Sequence, residues 1–210
     1  MDKKNFEKWK KIWKNMAEKE NRITQTGRNI NEAEFELIVK DIKEKLEIKS
    51  DDKVIDVGCA SGKVTFMISQ EVKEVAGIDF SNELLSQAKR NSNIHYYLAN
   101  STKLPFKEES LFDKGLFYSV AHYLPKEDLL STLKELSRVC KPGALIFVGD
   151  VPDADKKQNH PNPRWTYYKK EDFKEMCESI GLEANIIEQS ENLPYSHYRY
   201  DVVIINTKNK

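Results

Sequence analysis

Short, largely apolar runs recur along this chain at Val54 to Val57, Val75 to Ile78, Ile94 to Leu98, Lys114 to Tyr118 and Ala144 to Val148, and the stretches between them read as helices. Strands joined through helices are crossover-connected and lie parallel, with helices covering both faces of the sheet. The fold class is therefore α/β. Helices are expected to begin near Ser61, at Ser81 as an N-cap, and after Pro125, a residue suited to a first helical position. Ahead of the first strand, Phe6, Trp9, Ile12, Trp13 and Met16 recur at three- and four-residue steps, which predicts an amphipathic helix. A loop around Arg22 to Asn29 follows it. A second helix starts near Asn31, with Glu34 placed to complete a capping box and Phe35, Ile38, Ile42 and Leu46 on one face.

Beyond Asp150 comes a polar loop through Pro161 and Pro163, then a helix from about Lys169 that Gly181 stops as a C-terminal cap. The runs Glu183 to Ile187 and Tyr200 to Ile205 are joined by a connection, with Asn192 and Pro194, too short for a crossover helix. The last strand is expected to run antiparallel.

At 210 residues and 39% hydrophobic content the chain supports one sizeable core. Its 34 basic and 34 acidic residues cancel, which argues against nucleic acid or an anionic membrane as partner. The lysines interleaved with Trp9 and Trp13 read as a solvated helix face. Cys59, Cys140 and Cys177 form no CxxC pattern, and His95, His122, His160 and His197 never fall at ligand spacing, so neither a disulfide framework nor a metal is expected. No apolar run approaches the roughly 20 residues that span a bilayer. The expectation is a cytoplasmic protein.

"VIDVGCASGKVT", residues 54 to 65, takes the chain out of the first strand through small residues into a helix. Such a turn directs backbone amides over the sheet edge, and Gly58, Ala60 and Gly62 permit close approach. Asp79 ends the second strand about twenty residues on, where a carboxylate can accept both hydroxyls of a ribose. A dinucleotide site wants a third glycine where Thr65 stands, and Asp56 would repel a pyrophosphate. A positively charged adenosine-bearing ligand suits Asp56 better.

These residues carry a resemblance. "VIDVGCASG" resembles the first motif of the class I S-adenosylmethionine-dependent methyltransferases, an acidic residue followed by GxGxG. "GIDFS" at 77 to 81, "ANSTKLPF" at 99 to 106 and "ELSRVCKPGALIFVGD" at 135 to 150 follow in the family's order, and "FDKGLFYSVAHYLP" at 112 to 125 looks like the fourth-strand segment of its small-molecule branch. The resemblance covers about residues 35 to 206. It implies a Rossmann-like fold with a mostly parallel seven-stranded sheet whose last strand is antiparallel, in a methyltransferase domain over residues 31 to 210. Residues 1 to 30 form a helix and loop that read as a lid, a packing helix or a dimer contact.

The resemblance further implies S-adenosylmethionine as cofactor, leaving as S-adenosylhomocysteine. Asp56, Gly58, Cys59, Ala60 and Gly62 would line its methionine side; Asp79 would hold the ribose. Phe80, Asn100, Ser101 and Tyr118 complete the cofactor wall. Asn100 stands where the family usually has an aspartate facing the adenine amino group, a contact its amide oxygen can still make. Ala60 replaces the central glycine.

For the reaction, His122 follows the fourth strand and reads either as a base for an acceptor hydroxyl or as a packing residue. Tyr123, Arg164 and Trp165 are placed to wall an acceptor site. "LPYSHYRYDVVI", 193 to 204, resembles the terminal strands of small methyltransferases associated with surface-polysaccharide genes. Arg199 there either grips an anionic acceptor or pairs with Asp201 or a neighbouring carboxylate, and Arg22 and Arg28 would face the same acceptor. The expected function is O-methylation of a sugar, nucleotide-linked or phosphate-bearing small molecule by a monomer or homodimer. A non-catalytic cofactor-binding subunit and a nucleotide-dependent oxidoreductase are the alternatives.

Overall fold

The computed structural model describes residues 3–17, 30–109 and 111–207. Seven strands form one sheet: β1 (Lys53–Val57), β2 (Glu74–Asp79), β3 (Ile94–Leu98), β4 (Phe112–Tyr118), β5 (Cys140–Pro152), β6 (Glu183–Glu188) and β7 (Arg199–Ile205). Their order is β3-β2-β1-β4-β5-β7-β6. The first five strands pair in parallel, and β7 inserts antiparallel between β5 and β6. The strand order reverses between β1 and β4, which opens a crevice at their carboxyl ends.

The helices are α1 (Lys3–Ala17), α2 (Glu32–Leu46), α3 (Lys63–Ser69), α4 (Asn82–Ser86), α5 (Lys126–Val139) and α6 (Lys170–Glu178). Side chains of successive strand residues point to opposite faces, so the central strands β1, β4 and β5 feed two cores. Ile55, Phe117 and Val148 join Leu129, Leu133 and Leu136 of α5 and Phe173 of α6 on one face. Val54, Leu116 and Phe147 join Ile38, Ile42 and Leu46 of α2 and Ile68 of α3 on the other.

Local chemistry sets the helix ends. The Asn31 side chain accepts from the Glu34 amide at 2.9 Å while Glu34 accepts from the Asn31 amide at 2.7 Å, the expected capping box. Ser81 caps α4 through the Leu84 amide. At the end of α6 the Leu182 amide donates to Cys177 O and the Gly181 amide to Glu178 O, with Gly181 at φ +75°, which is the left-handed glycine stop expected there. β5 is longer than its expected span of 144 to 148. The strand runs through Pro142 and Gly143, with Gly143 at φ +79°. At its other end the pairing with β7 shifts between Val148 and Val151, where Asp150 sits at φ +69°.

Candidate functional site

The turn after β1 is held by the protein itself. The Gly58 and Cys59 amides both donate to Ile78 O, at 2.7 and 3.0 Å, the Ala60 amide donates to Asp79 Oδ2 at 2.9 Å, and the Gly62 amide donates to Cys59 O at 2.9 Å. The amides expected to face a ligand are thus engaged inside the fold. The close approach expected of the glycines also has an internal cause. A Cβ on Gly58 would meet Val120 Cγ2 at 2.4 Å, and one on Gly62 would meet the Tyr96 hydroxyl at 2.0 Å. Ala60 takes φ +50°, a conformation that favours glycine, and its methyl is accommodated.

Two buried carboxylates flank this turn. Asp79 closes β2, and its oxygens accept from the Ala60 amide and, at 2.8 Å, from the Ser81 amide. Burial raises its pKa to about 6, opposed by those backbone donors. The Phe80 amide is a third backbone donor to it, and since a carboxylate has about four lone-pair positions, about one remains on Asp79. Asp56, next to last in β1, accepts from Thr65 Oγ1 at 2.6 Å. Burial raises its pKa to about 7; the Thr65 hydrogen bond opposes the shift and the Asp79 charge adds to it. Thr65, which stands where a dinucleotide site would want a glycine, is therefore the group that orients Asp56.

A cleft of about 750 Å³ opens above Asp79 at the carboxyl ends of β1, β2 and β4. Gly58, Ala60 and Asp79 form its floor, Phe80, Leu84, Asn100 and Ser101 one wall, and Tyr118, Ser119, Val120 and Tyr123 the other. Gly149, paired with Tyr118 across β4 and β5, leaves room for the Tyr118 ring, which would meet a Cβ there at 2.4 Å. A neighbouring cleft of about 440 Å³ shares Gly58, Ala60 and Tyr118 and adds Asp56, Cys59 and Lys63. Trp9 and Trp13 of α1 reach the larger cleft and pack edge-on against Tyr123 at 4.8 and 5.3 Å between ring centroids. Of the expected cofactor residues only Gly62 lines neither cleft. Leu84, Ser119, Val120, Lys63 and Phe35 line them without having been expected as site residues, although Lys63, Ser119 and Val120 fall inside the quoted stretches.

The Asn100 oxygen, expected to meet a base, accepts instead from the Thr102 amide at 3.0 Å and from Thr102 Oγ1 at 3.1 Å. His122 is buried in a short turn after β4, its ring 4.0 Å from that of Tyr123 and 4.7 Å from that of Trp165, and it lines neither cleft. Arg199 is fully buried. Its Nη1 donates to Asp150 Oδ2 at 2.6 Å and Asp150 O at 2.8 Å, and its guanidinium lies 4.8 Å from the Trp165 ring centroid. Its partner is thus Asp150, while Asp201 binds Lys45. Arg164 is exposed, and neither it nor Trp165 lines a cleft. Arg22 and Arg28 lie outside the described residues.

Residues 54–143 match a family of methyltransferase domains. A demethylmenaquinone methyltransferase of Staphylococcus saprophyticus is 36% identical over 114 residues, covering 51% of this chain and 48% of that protein. The chain therefore spans about half the length of that curated relative. Among solved structures, a SAM-dependent methyltransferase from Aquifex aeolicus superposes with a TM-score of 0.67 at 20% identity over 83% of this chain and 93% of that one. Phosphoethanolamine N-methyltransferase 1 of Haemonchus contortus, solved with phosphoethanolamine and S-adenosylhomocysteine, gives 0.80 at 13% identity over 96% of this chain and 48% of that one. At these identities the likeness fixes the fold: the sheet is that of the Rossmann-like methyltransferases.

Proposed function

We propose, from the premise that residues 54–143 form a methyltransferase domain, that this protein is an S-adenosylmethionine-dependent methyltransferase of a small-molecule acceptor. One observation carries the reading. Two buried acids flank a turn whose amides are already engaged, which suits a ligand with a diol and a positive charge and offers little to a pyrophosphate. The residues fit that cofactor: Asp79 lines the larger cleft and keeps an acceptor position toward a ribose hydroxyl, and Asp56 faces the smaller cleft where an ammonium belongs. With the tail on the Asp56 side, the base falls on the other, between Phe80, Leu84, Asn100 and Ser101. Bound there, S-adenosylmethionine supplies an electrophilic methyl on a sulfonium sulfur. The protein's part is to align the acceptor and exclude water, for which α1 and Tyr123 form a roof.

The acceptor end is aromatic. Among the described residues the walls of the larger cleft include no Lys, Arg or His. Arg199 is held by Asp150, so a phosphate grip from that residue is not supported. A neutral ring-bearing molecule with a hydroxyl suits Tyr118, Tyr123, Trp9 and Trp13. Demethylmenaquinone, named in the relative, is the first acceptor to assay against neutral sugars.

Calorimetry with S-adenosylhomocysteine and with NADH tests the cofactor: the first binds, the second does not. Asp79→Ala weakens S-adenosylhomocysteine by more than about 1 kcal/mol, since hydrogen bonds to charged groups contribute roughly 1.5–3 kcal/mol; unchanged affinity removes Asp79 from the ribose. Acceptor-dependent release of S-adenosylhomocysteine separates an enzyme from a binding subunit. His122 is proposed as the base, reaching the acceptor once Tyr123 turns aside. On that reading His122→Ala depresses turnover by about 10²-fold or more at unchanged cofactor affinity, and undiminished turnover rejects the role.

A further inference from the structure

Asn100 follows β3 and lines the base side of the larger cleft. Its backbone oxygen accepts from the Lys103 amide at 3.0 Å. Its side-chain oxygen accepts from both the amide and the hydroxyl of Thr102, which uses its two lone pairs. The identity of that atom is fixed by chemistry, because a backbone N–H only donates and so must face the amide oxygen. What remains is the Nδ2 amide group, a donor of two hydrogens, and no described residue accepts from it. A purine with an amino group at position 6 presents a donor there, whereas a 6-oxopurine presents an acceptor.

We propose that Asn100 meets the purine with its N–H groups and not with its oxygen, so that the site takes a 6-oxopurine nucleoside thioether about as well as the 6-amino one. The inference rests on the cofactor reading above. Toward adenine the Asn100 amide finds only a ring nitrogen and leaves the exocyclic amino group unmatched. Toward hypoxanthine it finds the carbonyl oxygen. An aspartate at this position would keep one oxygen on Thr102 and turn the other to the base as an acceptor, restoring preference for the amino group.

The test is calorimetry of the full chain with S-adenosylhomocysteine and S-inosylhomocysteine. The wild type is expected to bind the two within about tenfold of each other, and Asn100→Asp to shift the ratio toward S-adenosylhomocysteine by about tenfold or more, the effect of one hydrogen bond. A wild-type preference for S-adenosylhomocysteine beyond about tenfold, or an unchanged ratio in a folded Asn100→Asp, overturns the assignment of Asn100 while leaving the cofactor reading intact. Failure of the wild type to bind either thioether overturns the cofactor reading itself. Should Asn100→Asp fail to fold, the wild-type ratio alone decides.

Discussion

Asp56 is where burial and chemistry meet most directly. Its pKa stands at about 7 in the fold against an ordinary 3.8, because the cleft floor keeps water from its carboxylate and Thr65 supplies only one hydrogen bond. Below about pH 4 the folded and unfolded chains both hold this proton, and burial adds no ionisation cost. Between about pH 4 and 7 the folded chain holds a proton that the unfolded chain has lost, so this group's contribution to stability falls as pH rises and levels off above 7. Asp56→Asn has no such titration. The stability of Asp56→Asn relative to wild type is therefore expected to rise from pH 4 to pH 7, read by urea unfolding at several pH values without ligand. Cofactor binding runs the other way: an ammonium beside Asp56 favours the ionised form, so S-adenosylhomocysteine affinity should climb through pH 7 with proton release, visible by calorimetry in buffers of different ionisation enthalpy. A flat profile would place the ammonium elsewhere. The acid and its position before the turn are legible in the sequence; its partner is not, because Thr65 lies nine residues on and meets Asp56 only once the turn has folded the helix back over the strand end.

At the scale of elements, what the sequence made plain is what local physics decides. The Asn31 and Glu34 box, the Ser81 cap, the Gly181 stop and the antiparallel last strand all follow from residues within a few positions of one another or from the length of a connection. The extent of β5 did not follow, since its ends are set by partners remote in sequence: Cys140 pairs with Phe112 of β4, and Val151 and Pro152 pair with Tyr200 and Arg199 of β7. The same division applies to α1. Its periodicity predicts the helix, but only the fold places Trp9 and Trp13 on Tyr123 at the mouth of the larger cleft. If α1 serves as a roof, removing one indole uncovers the ligand without touching the acids that hold it. Trp13→Ala is expected to weaken S-adenosylhomocysteine by about tenfold, corresponding to about 1–2 kcal/mol of lost apolar contact, mainly through faster dissociation in stopped-flow fluorescence. Unaltered dissociation would make α1 a packing helix.

For the molecule as a whole, the question is what fixes β7 between two strands while β5 bends beside it. The two strands pair through Val151 with Tyr200 and Pro152 with Arg199, on the far side of the shift in register at Asp150. There Arg199 bonds both the carboxylate and the carbonyl of Asp150, the Asp150 amide donates to Asp201 Oδ1 at 2.7 Å, and Asp201 Oδ2 pairs with Lys45 of α2. A chain of charges thus ties the bulge to the helix on one face. The sequence leaves Arg199 open between an anionic acceptor and a carboxylate partner and does not point to Asp150, which lies 49 residues away and reaches it through the bulge. Removing one member of a buried pair leaves the other charge unmatched and costs about 3–5 kcal/mol. Arg199→Met is accordingly expected to lower unfolding free energy by that amount, and Arg199→Met with Asp150→Asn to recover a substantial part, both read by urea titration. Because Arg199 lines neither cleft, S-adenosylhomocysteine affinity of the folded single variant should stay within about twofold of wild type, a difference of about 0.4 kcal/mol. Intact stability with lost acceptor turnover would instead return Arg199 to the acceptor site.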